Sequence, residues 1–203
     1  MIAYNLCLTR QGDKILLLNR EKAAWMGRWN GVGGKVMRNE SPRESMVREL
    51  EEETGITSYE LTFKGLVTWS LEGSGYGGMF LYLADIDSEI DYPTPIKTRE
   101  GILDWKSVEW IVHPDNQGIA SNLPYIFRYL FQNERCYIHH GFFASKQLLE
   151  VLTEELHPAC EDDPSLRERF LQEHRHRMSQ MYREQLAARV SRIIESESRQ
   201  LNA

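Results

Sequence analysis

The residues best suited to chemistry are three glutamates that stand close together in the first half of the chain: Glu49, Glu52 and Glu53. In a helix, positions i, i+3 and i+4 share one face, so the three carboxylates would crowd within about one turn. A hard divalent cation relieves such repulsion better than solvent does, and an all-oxygen, largely aqueous site suits Mg2+ or Mn2+. Because an isolated acidic run is more often a solvated helix face, the surrounding residues must decide between the two interpretations.

The local sequence predicts that these glutamates lie on a helix from about residue 42 to about residue 54. Ser41 and Glu44 form an S-x-x-E capping box, and Pro42 suits the first helical position. Gly55 follows the last turn, where a left-handed residue is expected. Three apolar residues fall on another side and would dock the helix on a core: Met46, Val47 and Leu50.

The stretch from Gly34 to Ile56 reads G-x5-E-x7-R-E-U-x-E-E-x-G-U, where U is a large aliphatic residue, with every position filled. At ordinary residue frequencies this pattern would arise by accident on the order of once in a billion start positions. It is the Nudix box, and over roughly residues 1 to 150 the chain resembles the Nudix hydrolases. Those enzymes cleave a nucleoside diphosphate linked to another moiety.

The resemblance implies a role for each residue of the box. Three glutamates match the family's Mg2+ ligands: Glu49, Glu52 and Glu53. Gly34, which has no Cβ, lets the backbone approach a diphosphate or metal closely. Arg48 matches the residue that holds the Glu49 carboxylate, and Glu40 matches a supporting acid of the loop. Glu49 or a distal acid would orient or deprotonate the attacking water, and the choice of base varies within the family.

Glu100 is the candidate for that distal acid. It follows a loop that contains Pro93 and Pro95, and Trp105 stands five residues after it. A glutamate shortly before a tryptophan resembles the family's second acidic position, which ligates metal or acts as base.

The segment before the box narrows the resemblance. Residues Trp29 to Val36 read W-N-G-V-G-G-K-V, which is similar to the mutator-type 8-oxo-dGTP diphosphatases. By that match Asn30 would reach the nucleobase edge, Lys35 would sit near the phosphates, and Arg20 would contact a phosphate. Two alternatives stay open: Asn30 satisfies a loop backbone, or Arg20 is simply an exposed charge at a strand end.

Two further segments resemble base-reading devices of different branches. Residues 137–143, Y-I-H-H-G-F-F, resemble the late F-H-G-Y-F strand of the vertebrate-type members. Residues 120–124, A-S-N-L-P, resemble the A-N-x-P segment of bacterial members, whose Asn reads the oxidised guanine. At most one device need operate here, and Asn122 could instead be a helix N-cap before Leu123 and Pro124.

Composition bounds the class of protein. With 203 residues, 41% hydrophobic and 27% charged, the chain is predicted to be a globular protein. A net charge of -6 argues against binding nucleic acid by phosphate attraction. Three cysteines without disulfide-framework spacing, no signal-type start and no run of membrane-spanning length favour a reducing cytoplasm. Cys7 lies in an apolar strand and is expected in the core.

Alternation predicts strands over residues 2–9, 14–19, 61–69 and 78–85. The glycine-rich stretch 73–78 lacks a following G-K-[ST], so a flexible hairpin connection is favoured over a phosphate cradle. Trp105 and Trp110 are expected in the core. His139 and His140 are adjacent, so they are expected on opposite faces of a strand, one buried and one exposed.

The resemblance implies an α/β/α sandwich around a mixed sheet, whereas alternation alone favours only an α+β class. We divide the chain into a Nudix domain at residues 1–152 and a C-terminal helical extension at residues 153–203. The extension carries 8 basic and 10 acidic residues, so it is no basic arm. We expect a long amphipathic helix after Asp163-Pro164 that packs on its own domain or on a second subunit as a homodimer. A lid or partner-binding role is the alternative.

The leading expectation is a Mg2+-dependent nucleoside triphosphate pyrophosphohydrolase that releases a nucleoside monophosphate and pyrophosphate, acting on 8-oxo-dGTP or a related damaged purine nucleotide. A Nudix hydrolase of ADP-ribose, a dinucleoside polyphosphate or capped RNA is the first alternative. A non-catalytic Nudix-fold regulator with a DNA-binding tail is the second, and the complete box and near-neutral tail argue against it.

Overall fold

The secondary structure is taken from a computed structural model, which describes residues 2–71, 75–131, 134–144 and 147–201. In chain order its strands are β1 Tyr4–Gln11, β2 Lys14–Arg20, β3 Trp29–Asn30, β4 Glu60–Leu71, β5 Gly75–Asp85, β6 Ile96–Lys97, β7 Gly101–Ser107, β8 Cys136–Ala144 and β9 Gln147–Leu156. Its helices are α1 Pro42–Thr54, α2 Val108–Val112, α3 Leu123–Leu130 and α4 Pro164–Leu201.

The strands form one mixed sheet in the order β6-β7-β2-β1-β5-β4-β8-β9, with β3 beside β2. Successive residues of a strand face opposite sides, so β2 buries Leu16 and Leu18 on the face covered by α1 and α4. Its residues Ile15 and Leu17 are buried on the other face, under α2 and α3. The predicted α/β/α sandwich is therefore confirmed.

The four predicted strands are confirmed, with shifted ends. β4 and β5 pair antiparallel as far as Leu71 and Gly75, so residues 75–77, which the sequence places in a loop, belong to a strand. Residues 72–74 of the predicted hairpin connection lie outside the described residues. The core position of Cys7 is confirmed, because it is fully buried and burial raises the pKa of its thiol to about 12.

Two aromatic predictions are wrong in part. His139 and His140 do face opposite sides of β8, but both are buried, because helices cover both faces of the sheet. Trp110 is 36% exposed, since α2 is only five residues long and buries Ile111 instead. Trp105 packs against the core as expected and donates its indole N–H to the Tyr92 carbonyl at 3.0 Å.

The C-terminal extension contains a strand as well as a helix. The predicted boundary after residue 152 falls inside β9, which pairs with β8 as far as Leu156. A 3-10 turn at Pro158–Cys160 leads to α4, whose first turn is capped by the Asp163 carboxylate at 2.9 Å from the Ser165 and Leu166 N–H groups.

The first half of α4 packs on its own domain, as one of the two expectations proposed. Leu171 and Met178 are buried there, while the side chains of residues 188–201, including the apolar positions 190, 193 and 194, lie outside the description. Within the described part of the chain, none of the helices combines the length and the apolar character that crossing a membrane requires.

A buried polar cluster joins α4 to the sheet. His140 bonds Thr68 Oγ1 at 2.8 Å through Nδ1 and Ser70 Oγ at 3.0 Å through Nε2. His174 of α4 bonds the Tyr76 hydroxyl at 3.0 Å, and its ring meets that of His140 at 5.3 Å. Burial lowers the pKa of His140 to about 3 and that of His174 to about 4, so both rings are neutral in the folded protein at neutral pH.

This cluster predicts loss of stability in mild acid. Below its usual pKa near 6.5, His174 is protonated in the unfolded chain but stays neutral in the folded protein until about pH 4. The unfolded state then binds more protons than the folded state, so the free energy of unfolding decreases as the pH is lowered. Replacing His174 by Gln should remove about 2 kcal/mol of the difference in unfolding free energy between pH 7.5 and pH 5. Urea unfolding at both values measures this.

The matched control is His176→Gln, two residues along α4, where the side chain is exposed. Its pH dependence of unfolding should follow the wild type. An equal pH dependence for wild type and His174→Gln would contradict the assignment of acid sensitivity to the buried cluster.

Candidate active site

Helix α1 presents the glutamates, and its ends are set by the residues predicted to set them. The Ser41 hydroxyl accepts from the Glu44 N–H at 3.2 Å, and the Glu44 carboxylate accepts from the Ser41 N–H at 2.8 Å. Gly55 takes the left-handed conformation, with φ of 74°, and ends the helix. Residues at its two ends therefore determine where α1 begins and where it ends.

Arg48 links the acids of the box. Its guanidinium donates to both Glu40 oxygens at 2.5 and 3.0 Å, to Glu49 Oε1 at 2.8 Å and to Glu52 Oε2 at 3.3 Å. The hydrogen bond from Arg48 lowers the pKa of Glu40 to about 2. One cation thus spaces three carboxylates and keeps Glu40 ionised.

Glu53 is partly buried against the loop that follows β3. Its Oε2 accepts from the Gly33 N–H at 3.1 Å. Burial is the main reason that its pKa rises to about 7, and the charges of Glu49 and Glu100 raise it further, while Arg20 and the Gly33 hydrogen bond lower it. The structure therefore brings Arg20, Glu49, Glu53 and Glu100 into one electrostatic neighbourhood.

The Gly33–Gly34 turn leaves room for the carboxylates. A Cβ on Gly34 would lie 2.4 Å from both oxygens of Glu49, which no side chain could occupy without moving the acid. Beside this turn lies a groove of about 660 Å³ lined by Lys35, Arg38, Glu40, Arg48 and Glu49, among others. Lys35 and Glu49 therefore line the same groove.

The loop between β2 and β3 lies next to these acids. The Arg20 Nε donates to the Ala24 carbonyl at 3.2 Å, so its side chain folds back over the loop. Lys22 Nζ pairs with Glu100 Oε1 at 2.5 Å. Glu100 is therefore engaged by a lysine that the sequence did not single out, because the two residues are 78 positions apart.

The two candidate base readers are brought together by a short parallel bridge between Trp29 and Ile119. The Trp29 N–H donates to the Gly118 carbonyl at 2.8 Å, and the Ala120 N–H donates to the Trp29 carbonyl at 2.9 Å. Asn30 and Asn122 therefore come from adjacent segments. The Asn30 Oδ1 accepts from the Gly31 N–H at 2.9 Å, as the alternative interpretation expected of a loop asparagine.

Asn122 stands at the N-cap of α3 but does not act as one. Its backbone is helical, with φ of -85° and ψ of -20°, and its side chain makes no capping hydrogen bond. Its Oδ1 and the neighbouring Ser121 Oγ are buried, and in the described residues neither has a hydrogen-bond partner. Such orphaned oxygens cost free energy unless a ligand or water satisfies them. Ser121 was not among the site residues predicted from the sequence.

The carboxylates of the box fit a divalent cation that keeps part of its water shell. Among the described residues, no three His, Cys, Asp or Glu side chains converge closely enough to enclose a metal by themselves. Mg2+, however, is usually held by one or two carboxylates, with water and substrate phosphates filling the other positions. The Glu49 and Glu53 carboxylates beside the glycine turn meet that smaller requirement, and a cation would compensate the charge that Glu53 bears in a buried position.

The chain is similar to a known protein family and to several of its members. The family model of the NUDIX domain matches residues 1–130. The uncharacterized Nudix hydrolase YvcI of Bacillus subtilis (strain 168) is 29% identical over 156 residues, which are 75% of this chain and 92% of that protein. The oxidized purine nucleoside triphosphate hydrolase of Mus musculus is 28% identical over 153 residues, 75% of this chain and 94% of that protein.

A crystal structure of the mutator MutT protein from Bacillus halodurans shares the fold. It aligns with a TM-score of 0.62 and 24% identity, covering 74% of this chain and 96% of that one. Because the NUDIX model matches residues 1–130 of 203, and the complete box lies within that span, the chain belongs to the Nudix family.

Proposed function

We propose that this protein is a Mg2+-dependent nucleoside triphosphate pyrophosphohydrolase that acts on oxidised purine nucleotides such as 8-oxo-dGTP. Membership of the Nudix family makes it a hydrolase of phosphoric anhydride bonds. The observation that carries the proposal is the arrangement around the glycine turn, where Glu53 accepts from the Gly33 N–H, Glu49 lies against Gly34, and Glu49 and Lys35 line the same groove.

Each residue of the site has its own role in hydrolysis. When bound, Mg2+ would neutralise charge on the phosphate oxygens. Arg48 keeps the Glu49 carboxylate oriented toward Gly34, and the Gly33 N–H fixes the Glu53 carboxylate, so that both acids are held in place before substrate arrives. Arg20 and Lys35 add positive charge for the triphosphate. A carboxylate of this group takes the proton of the attacking water.

The pair of orphaned oxygens supports recognition of a nucleobase. Asn122 Oδ1 and Ser121 Oγ are buried acceptors beside the segment that carries Asn30, and they lack partners within the described residues. An N–H edge of a nucleobase would satisfy such acceptors. The similarity to the mouse enzyme named for oxidised purine triphosphates points the same way.

The charge of Glu53 should be essential for hydrolysis. Replacing Glu53 by Gln keeps the shape of the side chain but removes the charge, and kcat for pyrophosphate release from 8-oxo-dGTP should fall at least about 100-fold. The matched control is Glu51→Gln, an exposed glutamate on the same helix that faces away from the glycine turn. A Glu53→Gln enzyme with the rate of the Glu51→Gln enzyme would remove Glu53 from the site.

The Asn122 side chain should contribute to recognition of the base. Asn122→Ala should lower kcat/KM for 8-oxo-dGTP about 10- to 100-fold, the cost of losing a buried hydrogen bond to the substrate. Its effect on a pyrimidine triphosphate should be much smaller. The measurement is a panel of oxidised and normal nucleotides that also contains ADP-ribose, a dinucleoside tetraphosphate and capped RNA. A wild-type enzyme that prefers one of the last three would contradict the assigned substrate class.

A further inference from the structure

Glu161 is a buried carboxylate that lies beyond the residues matched to the family. It follows the 3-10 turn Pro158–Cys160, and its side chain is only 8% exposed. A buried carboxylate requires compensation by charge and hydrogen bonds, because transfer of an unpaired ion from water is very costly. Its partners therefore identify what this turn is held against.

Those partners belong to the catalytic domain. Arg43, on the first turn of α1, approaches Glu161 with Nε at 2.8 Å from Oε1 and Nη2 at 3.0 Å from Oε2. The Tyr82 hydroxyl of β5 donates to Oε1 at 3.1 Å. The third nitrogen of Arg43 donates to the Leu61 carbonyl at 2.8 Å. Arg43 is thus fixed on two sides by a two-point ion pair and by a strand backbone.

The turn that carries Glu161 is itself fastened to the extension. Arg167 of α4 donates to the carbonyls of Cys160 at 2.7 Å and Glu161 at 2.9 Å. Its guanidinium also lies over the Phe80 ring, 5.0 Å from the centroid. The position of Glu161 is therefore set by α4 and by the core, and not by the loop alone.

The Arg43–Glu161 ion pair holds α1 close to the face that packs on the core. The rotation of that face about the helix axis sets the direction of the glutamates. At about 100° per residue, Arg43 projects about 20° from Leu50, the fully buried residue of the helix. Glu53 and Glu49 lie about 60° and 100° to the other side of Leu50. A rotation of about 10° around the axis would move a carboxylate about 6 Å from that axis by about 1 Å. A misplacement of this size can cost about 100-fold in rate.

We propose that Glu161 is a positioning residue of the active site, through which the C-terminal extension sets the rotation of α1 and so the placement of Glu49 and Glu53. This inference rests on the proposed function. It makes the segment from Glu161 to Arg167 a working part of the catalytic unit, although it lies outside the family match.

The test compares Glu161→Gln with Glu155→Gln in the full chain. Glu155, on β9, is the matched control. It forms an ion pair with Arg135 at 3.0 Å, and both side chains are about 60% exposed. Glu161→Gln should lower kcat for 8-oxo-dGTP about tenfold, with less change in KM, and should weaken Mn2+ binding to the nucleotide-free protein about fivefold, measured by electron paramagnetic resonance. Glu155→Gln should match the wild type in all three quantities.

Arg43→Lys serves if Glu161→Gln does not fold, because it keeps the charge and loses the two-point contact; the same losses are expected, at smaller size. Affinity for Mn2+ separates positioning from stability, since a folded protein that was only destabilised would bind Mn2+ normally. Unchanged kcat and Mn2+ affinity in both variants, beside an active wild type, would overturn the inference alone. A wild type that neither binds Mn2+ nor hydrolyses the nucleotides would overturn the proposed function and this inference with it.

Discussion

The constraint on which the site depends is the crowding of negative charge at the end of α1. Four glutamates occupy positions 49, 51, 52 and 53, and the last turn has no basic residue. The negative end of the helix dipole lies at that same turn, so the arrangement is unfavourable both for the side chains and for the helix. Anchors elsewhere must offset this cost: the capping box, the Arg48 contacts to Glu40 and Glu49, and the left-handed Gly55. A bound cation would reduce this repulsion between the carboxylates.

The sheet supplies what the helix cannot. β2 ends at Arg20 and pairs with β7, which begins at Gly101 directly after Glu100, so a cation and an acid reach the same edge. The segment after β3 supplies the Gly33 N–H for Glu53. Each group comes from the end of an ordered strand or from the loop that follows it, so their separations depend on the sheet register.

How far the sequence predicts this arrangement depends on how local each cause is. The limits of α1 follow from residues within two turns of its ends, and they were predicted. The partner of Glu100 and the partner of Glu161 were not, because Lys22 is 78 positions from the first and Arg43 is 118 positions from the second. Trp110 and the histidine pair were misjudged for a related reason: their burial depends on which helices cover the sheet. For Asn122 the pattern predicted the position at the N-cap of α3 correctly, but the side chain makes no capping hydrogen bond.

The proposed activity is hydrolysis of the phosphoanhydride linkage (P–O–P) between the α and β phosphates of a nucleoside triphosphate. The most direct measurement is the stoichiometry of products formed by the wild-type protein from 8-oxo-dGTP with Mg2+. We expect one nucleoside monophosphate and one pyrophosphate for each triphosphate consumed. Release of nucleoside diphosphate with inorganic phosphate, or no release of product, would contradict it.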